Sequence, residues 1–336
     1  MQNAFLPKKA TGPKKKKKIS AVGTGFAAAA VGLTFLVFFV GKENAEATQT
    51  TGITQDVPEK TVSLDSVEPG QYFRFGTYDP TGCASEEEDT SISWIVLDVD
   101  RQTGEIFLLT ENIVDLKPFD TAESGTFDRN RLDQEFDPAK ADSYSETEMA
   151  LFKGNSDWNK SNIRTFLNSD QPVVEYQGAL PVNEGSDEGT NGYSREPGFL
   201  FYFSVDEKKM ISAETECDKV FLLSAEEYTT YVRGKKPDGN TMPTALALES
   251  NHSSWYLDFM EAGNGGYFSA LRDPDETDPA KVRVVNPYGL TGQEFGAYYP
   301  AIAGMGIRPA TRILPGERRL EGSGTKEDPY RLVFAE

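Results

Sequence analysis

The chain has 336 residues, of which 34 are lysine or arginine and 53 are aspartate or glutamate, and its net charge is −19. The first 42 residues hold eight lysines and no acid, so residues 43–336 carry 26 basic against 53 acidic residues, a net charge of −27. A surface of that charge repels phosphate backbones and argues against nucleic acid as a partner, and a single histidine, His252, excludes a His-rich metal site.

The N-terminal segment predicts a single membrane span. Lys14 to Lys18 stand directly before an uncharged stretch, residues 19–40. As a helix, this stretch reaches about 33 Å at about 1.5 Å per residue, enough to cross a hydrocarbon core of about 30 Å. The lysines keep residues 1–18 in the cytoplasm, as the positive-inside rule requires. We therefore predict a single-pass protein of the cell membrane that contacts the lipid bilayer through residues 19–40 and holds its C-terminal domain outside the cell.

A secretory signal is the alternative to this retained anchor. Ala45-Glu46-Ala47 has the small-x-small form of a signal-peptidase site, with cleavage after Ala47. The apolar run is longer than the usual signal core of roughly 7–15 residues, which favours the anchor. Both alternatives deliver the remaining chain outside. There, residues 41–67 lack apolar periodicity and are predicted to be a disordered stalk, and residues 68–336 are predicted to form an extracytoplasmic domain.

The first part of this domain has the pattern of β-structure. Residues 72–76 predict a strand that ends at a glycine. The runs 92–99 and 106–109 are rich in β-branched and aromatic residues, and the turn residues between them indicate a hairpin. An acidic loop, residues 79–91, joins the first strand to that hairpin.

Helix starts follow. Ser145, Ser204 and Ser224 each precede a glutamate by three residues, which is the capping-box pattern, and apolar residues come after each. Residues 159–168 predict a further helix with one apolar face. Shorter strands are predicted in four later segments, and a polar insertion, residues 170–198, separates the helices. The strand segments are 220–223, 282–285, 306–314 and 330–334. Together these elements predict one α+β domain with long loops.

Seven short segments, in one order, resemble a bacterial family, domain-of-unknown-function family 6273, whose members are common on cell surfaces. Together they cover most of residues 68–314. They are 75–78, 92–99, 158–168, 203–207, 220–227, 255–257 and 306–310.

This resemblance implies a C-type-lectin-like fold, similar also to the sulfatase-modifying-factor domain: a twisted antiparallel sheet with flanking helices and long loops that bind ligands. The calcium-and-sugar triplets of C-type lectins are absent, and Glu196-Pro197-Gly198 is only a near miss. The paired cysteines of the formylglycine-generating relatives have no counterpart here. The resemblance therefore implies a fold and no particular reaction.

Five residues are predicted to be structural. Trp94 lies in a predicted strand and Trp158 at a helix start, so both are assigned to the core. Arg164 and Asn168 stand four residues apart on one helix, where they brace a neighbouring loop. Arg308 lies between a strand and a turn, where an arginine ties loops together through carboxylates or carbonyls.

Two aromatic loops, residues 255–268 and 286–299, form the predicted ligand-binding region. Aromatic faces beside aspartate and asparagine suit carbohydrates, because sugar faces stack while sugar hydroxyls need convergent donors and acceptors. Core aromatics have the same sequence pattern, and tyrosine-rich loops also suit protein interfaces. The candidate residues are Trp255, Tyr256, Asp258, Asn264, Tyr267 and Tyr288.

Cys83 and Cys217 are the two cysteines, and outside the cell a disulfide between them would persist. The sequence does not decide whether they pair. No cofactor is predicted: the acidic runs 86–89 and 273–278 allow loose Ca²⁺ binding but lack the ligand spacing of a calcium loop.

The sequence therefore predicts a membrane-anchored binding module, and not an enzyme, whose ligand is a glycan or an envelope protein. Two alternatives remain. One is a carboxylate-based hydrolase of envelope or host glycans, which requires two facing acids in a cleft. The other is a structural or sensory subunit that docks to another envelope protein through an exposed apolar patch.

Overall fold

The computed structural model describes residues 63–85, 88–121, 143–145, 148, 153–176, 193, 196–213, 218–235, 242–250, 267–286, 294–302 and 304–334. All of the described residues belong to one compact unit, Asp56–Glu336. The predicted tail, the predicted span 19–40 and most of the predicted stalk lie outside them. Within the described ranges, no helix is both long and apolar enough to cross a membrane.

A sheet of eight described strands forms the larger layer. Its strand order is β12-β13-β1-β2-β3-β11-β5, and β6 also pairs with β11. The bounds are β1 Tyr72–Thr77, β2 Ser91–Val99, β3 Ile106–Thr110, β5 Ile211–Ser212, β6 Val220–Phe221, β11 Ala310–Ile313, β12 Arg319–Glu321 and β13 Tyr330–Val333.

The predicted hairpin is confirmed as the antiparallel pair of β2 and β3, in which Val99 lies opposite Ile106. Gly104 takes a φ of 76° in its turn and donates its N–H to the Asp100 carbonyl at 2.8 Å. The hairpin is buried on both faces: every residue of β3 is buried, as are Trp94 to Leu97 in β2. A strand that is buried on both faces has no alternation of apolar and polar residues. The prediction of β2 and β3 therefore depended on their content of β-branched and aromatic residues.

A second sheet of five described strands has the order β4-β10-β7-β8-β9. Only β8 and the region of β10 were predicted, and the other strands were missed because they are short or carry polar residues. The bounds are β4 Asp115–Lys117, β7 Ser269–Pro274, β8 Val282–Val285, β9 Phe295–Tyr298 and β10 Met305–Ile307.

The chain crosses between the two sheets at two neighbouring points, from β3 to β4 and from β10 to β11. The predicted strand 306–314 is therefore two strands, which belong to different sheets. The two crossings are bonded to each other: the Thr110 N–H donates to the Pro309 carbonyl at 2.9 Å. Arg308, which is 5% exposed, donates from Nε to the Thr110 carbonyl at 2.8 Å and from Nη2 to the Glu111 carbonyl at 3.3 Å.

Short helices flank the sheets. They are α1 Asn162–Leu167, α2 Val205–Met210, α3 Ala225–Glu227 and α4 Ala245–Ser250; α3 continues as a π-helix, Tyr228–Val232. The capping boxes at Ser204 and Ser224 are confirmed, with both reciprocal hydrogen bonds present. The hydrogen bonds between Ser145 and Glu148 also form, but most of the residues of that predicted helix lie outside the described ranges.

The predicted helix 159–168 starts later than expected. Trp158–Lys160 is a 3₁₀ turn, and Ser161 then takes an extended conformation and caps α1 through a hydrogen bond from the Arg164 N–H. The serine oxygen competes for backbone donors, which divides the segment into two elements.

Gly76 lies near the end of β1, where the pairing register with β2 shifts between Arg74 and Thr77. Its φ is 72°, and a Cβ atom there would lie 2.2 Å from the Phe203 ring. Its N–H donates to Glu207 Oε1 at 2.9 Å, and Glu207 is also the capping-box residue of α2. The glycine thus brings α2 against the larger sheet. These elements confirm the predicted α+β class.

Candidate functional site

Most of the predicted ligand-binding residues lie outside the residues that the structure describes. Tyr267 is described, and it is buried, with 8% of its surface exposed. The other five lie outside the described residues: Trp255, Tyr256, Asp258, Asn264 and Tyr288.

Aromatic side chains of the neighbouring segment 294–302 serve packing. Tyr298 stacks on Phe268 with ring centroids 4.7 Å apart. The Lys153 and Lys281 ammonium groups both lie over the Tyr299 ring, at 4.8 Å and 5.1 Å from its centroid. These aromatic side chains therefore have packing partners within the protein.

A pocket of about 290 Å³ lies elsewhere, between the start of the larger sheet and α4. Three parts of the chain line it: the strands β1 and β2 with the acidic loop between them, the connection from β3 to β4, and the start of α4. Its volume lies just below the roughly 300–1,000 Å³ range of small-molecule sites, which suits a ligand of about one ring.

The first wall is an ordered set of polar side chains. Arg74 of β1 donates from Nη1 to Asp89 Oδ2 at 2.8 Å and also to the Ser91 hydroxyl. Asp89 in turn accepts from the Ser91 N–H at 3.0 Å. Partial burial acts to raise the pKa of Asp89, but the hydrogen bonds from Ser91 and Arg74 outweigh it and lower the pKa overall. Asp89 is therefore an ionised acceptor at neutral pH.

The second wall comes from the crossing between the sheets. Glu111, Asn112 and Val114 line it, and the Glu111 N–H donates to the Ser93 carbonyl at 2.8 Å, which holds the connection against β2. The Glu111 carboxylate pairs with Lys326 at 2.5 Å. Arg308 donates to the Glu111 carbonyl. Its predicted role, which is to tie loops together, therefore includes holding this wall of the pocket.

The third wall is the first turn of α4. Thr244 precedes the helix and accepts the Ala247 N–H on its hydroxyl at 3.1 Å, as a helix cap does. Ala245 is exposed at the pocket, and Leu246 is buried beside it. The result is a recess in which hydroxyls, an amide, carboxylates and a guanidinium stand beside apolar side chains.

Tyr78 connects the pocket to a buried charged cluster. Tyr78 lines the pocket, and its hydroxyl donates to Asp115 Oδ2. Behind it, Lys117 Nζ lies 3.7 Å from Asp115 Oδ2 and donates to Glu196 Oε2 at 2.7 Å. The same ammonium lies 4.8 Å from the centroid of the Phe166 ring. We call Tyr78, Asp115, Lys117 and Glu196 the Lys117 cluster.

Burial dominates the electrostatics of this cluster. It raises the pKa of Tyr78 well above the ordinary value, and the Asp115 carboxylate adds to the rise. It acts to lower the pKa of Lys117, but Asp115 and Glu196 together outweigh it and raise that pKa. Burial also raises the pKa of Glu196, partly offset by Lys117. Lys117 thus stays protonated and neutralises carboxylate charge that the interior would not otherwise tolerate.

The predicted structural residues have interior contacts. Trp94 is fully buried and donates from Nε1 to the Phe75 carbonyl at 2.7 Å. Trp158 and Arg164 both bind Asp218, with Nε1–Oδ2 and Nε–Oδ1 distances of 3.3 Å and 2.5 Å. Asn168 donates to the Val220 carbonyl at 2.8 Å and accepts from the Lys219 N–H at 2.7 Å, so it braces the segment that enters β6.

Sequence reasoning missed the pocket and the Lys117 cluster. A signal was present for the pocket: Arg74 is a single basic residue in a strand that is otherwise largely apolar. Such a residue must find partners when its strand is buried. The sequence does not say which distant residues those partners are.

Cys83 is exposed and its thiol is free, while Cys217 lies outside the described residues, so a bridge between them stays a prediction. In the part of the chain that the structure covers, no group of three histidine, cysteine or acidic side chains is placed to hold a metal ion. The acidic run 86–89 is covered only at Glu88 and Asp89.

Comparisons with known proteins give no relative: no family model, no curated protein and no solved structure matches this chain. The resemblance to family 6273 therefore stays a prediction, and function has to be argued from the site itself.

Proposed function

We propose that this protein is a membrane-anchored binding module that holds a carbohydrate in the pocket between β1, β2 and α4, outside the cell. The observation that carries the proposal is the composition of the pocket. Residues with hydrogen-bonding side chains line it from three sides: Ser91, Ser93 and Thr244 carry hydroxyls, Asn112 an amide, and Asp89 and Glu111 carboxylates. Sugar hydroxyls need such a mixture of donors and acceptors.

The hydrogen bonds and the ion pair that hold the polar side chains of the pocket walls support binding. Asp89 and Ser91 are fixed by hydrogen bonds to Arg74 and to each other, and Glu111 is fixed by Lys326. Polar groups that are already held in place lose little conformational entropy when a ligand binds. Pro80, Ile92 and Val114 supply apolar surface for the faces of a sugar ring.

The same geometry favours binding over glycoside hydrolysis. An acid–base mechanism needs one carboxyl group with a raised pKa to protonate the leaving group. The pKa of Asp89 is lowered, and Glu111 is committed to an ion pair with Lys326. The finer fold that we propose is C-type-lectin-like, supported by the α+β architecture and by the order of the segments that resemble family 6273.

Blocking the pocket tests the proposal. We expect Ala245→Trp to abolish carbohydrate binding by the full-length chain, a loss of more than about tenfold in affinity, because the indole fills a recess built for about one ring. Ala245 is exposed, so the change leaves the core intact. The measurement is binding to a glycan array, followed by titration of the best ligand.

Leu248→Trp is the matched control, because Leu248 lies on the same helix, is 40% exposed and does not line the pocket. It should bind as the unmodified chain does. Equal binding by both variants would show that the ligand sits elsewhere, and an array on which the unmodified chain binds nothing would refute the carbohydrate proposal.

Cys83 provides a test of the proposed location, since it is exposed in the described structure. A membrane-impermeant maleimide should label this thiol in intact cells, and a Cys83→Ser variant should lose that label. Labelling that appears only after a reductant is added would show the predicted bridge to Cys217. Labelling that requires cell lysis would place the domain inside the cell and contradict the proposed topology.

A further inference from the structure

We infer that the ligand of this pocket is an N-acetylated sugar whose acetamido carbonyl binds Arg74; the inference rests on the proposed carbohydrate-binding function. It follows from the hydrogen bonds of the Arg74 guanidinium. Arg74 lines the pocket, and the sheet register places it opposite Ser93 of β2. All of its side-chain hydrogen bonds to the described part of the chain come from Nη1, which donates to Asp89 and to Ser91.

The Nε atom of Arg74 is a donor that a ligand can satisfy. It is buried and has no hydrogen-bond acceptor among the described residues. A buried donor without an acceptor is costly, and such atoms are rare in folded proteins. The side chain as a whole is 29% exposed, so it has room to turn this edge of the guanidinium toward a ligand. A ligand oxygen at this edge would form a charge-assisted hydrogen bond.

The charges around the pocket favour a neutral acceptor over a carboxylate. Glu88, Asp89 and Glu111 all line the pocket, and residues 43–336 carry a net charge of −27. An acidic sugar would meet repulsion from these carboxylates and from the domain as a whole. The charge of Arg74 is already balanced by Asp89, at 2.8 Å. The ligand oxygen that Nε receives is therefore expected to be uncharged.

An acetamido group matches the other side chains of the pocket. Its carbonyl oxygen accepts hydrogen bonds and donates none, which suits the Nε donor. Its N–H suits the Asp89 carboxylate, whose side chain is 66% exposed and keeps acceptor capacity. Its methyl group suits the apolar surface of Ile92 and Val114. A sugar hydroxyl at the same ring position has no methyl group and a shorter reach.

The experiment titrates the full-length chain with five sugars by saturation-transfer NMR: N-acetylglucosamine, N-acetylgalactosamine, their parent sugars glucose and galactose, and glucuronate. We expect at least one acetamido sugar to bind about tenfold more tightly than its parent, which is the gain from one hydrogen bond to a charged group. Glucuronate should bind no more tightly than glucose.

Two results would overturn the inference: neither acetamido sugar binds more tightly than its parent, or glucuronate binds most tightly of the five. The glycan array decides the proposed function separately. If the array shows binding to other carbohydrates, the proposed function still stands, and if the array shows no binding, it fails as well.

Arg74→Lys tests the role of the guanidinium. Lysine keeps a positive charge beside Asp89 but has no counterpart of the Nε donor. The variant should therefore reduce the preference for the acetamido sugar to near parity with its parent. The preference is a ratio of two affinities measured on one preparation, so a smaller folded fraction does not change it. The comparison of sugars on the unmodified chain does not depend on this variant.

Arg331→Lys is the matched control. Arg331 of β13 lies beside Arg74 in the sheet, is exposed and does not line the pocket. It should leave the preference unchanged. If the preference falls equally in Arg74→Lys and Arg331→Lys, or persists in Arg74→Lys, then Arg74 does not hold the acetamido group and the inference is wrong.

Discussion

Lys117→Met should lower the free energy of unfolding by about 3–5 kcal/mol, the cost of leaving buried carboxyl groups without their cation. Lys117 is 7% exposed, and its ammonium contacts both Asp115 and Glu196. Methionine has a similar length and keeps the packing on Phe166, so the loss reports on charge and not on volume. Urea unfolding of the full-length chain, followed by tryptophan fluorescence, measures it.

Two further variants make the Lys117 result specific. Lys209→Met breaks a surface pair with Asp206 in which both side chains are more than half exposed, and exposed pairs of this kind contribute little. Adding Glu196→Gln to Lys117→Met should recover part of the lost stability, because it removes one of the two carboxylates that have lost their cation. A loss at Lys117 no larger than that at Lys209 would show that the cluster does not depend on its cation.

Arg308→Ala should be the second most damaging change, with an expected loss of about 3 kcal/mol, because it removes a charged donor from one buried and one partly buried carbonyl group. Those carbonyls, of Thr110 and Glu111, belong to the chain where it passes from one sheet to the other. The change should also weaken ligand binding, since Glu111 lines the pocket. Urea unfolding and ligand titration on the same preparation measure the two effects.

Arg308→Lys is the informative companion. A lysine keeps the charge but lacks the planar fork that reaches two acceptors at once. It should therefore recover less than half of the loss in both measurements. Full recovery with lysine would mean that charge alone is needed at this position, and it would contradict the role given to the two hydrogen bonds of Arg308.

Local chemistry explains which elements could be predicted. A capping box is complete within four residues, and those at Ser204 and Ser224 form as the sequence indicates. The hairpin of β2 and β3 is likewise encoded by neighbouring residues, through its apolar strands and a turn at Gly104. In each case the interacting groups are close together in the chain, so their pattern is visible in the sequence.

Long-range pairing explains what could not be predicted. β4 has three residues and includes Asp115 and Lys117, which on composition alone belong to a surface loop. It becomes a buried strand because β10, far along the chain, pairs with it, and because Glu196 meets Lys117. The pocket likewise combines residues from β1, the crossing between the sheets and α4.

The α+β class, the capped helix starts and the hairpin follow from the amino-acid sequence, because these features depend on contacts between close neighbours and on the periodicity of apolar residues. The contacts between polar side chains arise only when the folded chain brings distant segments together. The charged groups of a buried strand contact residues of the neighbouring strand or loop, which can be distant in the chain. No local sequence pattern indicates which distant residues these are. The pocket walls that contain Arg74, Asp89 and Glu111 are therefore properties of the fold, and so are the partners of Lys117.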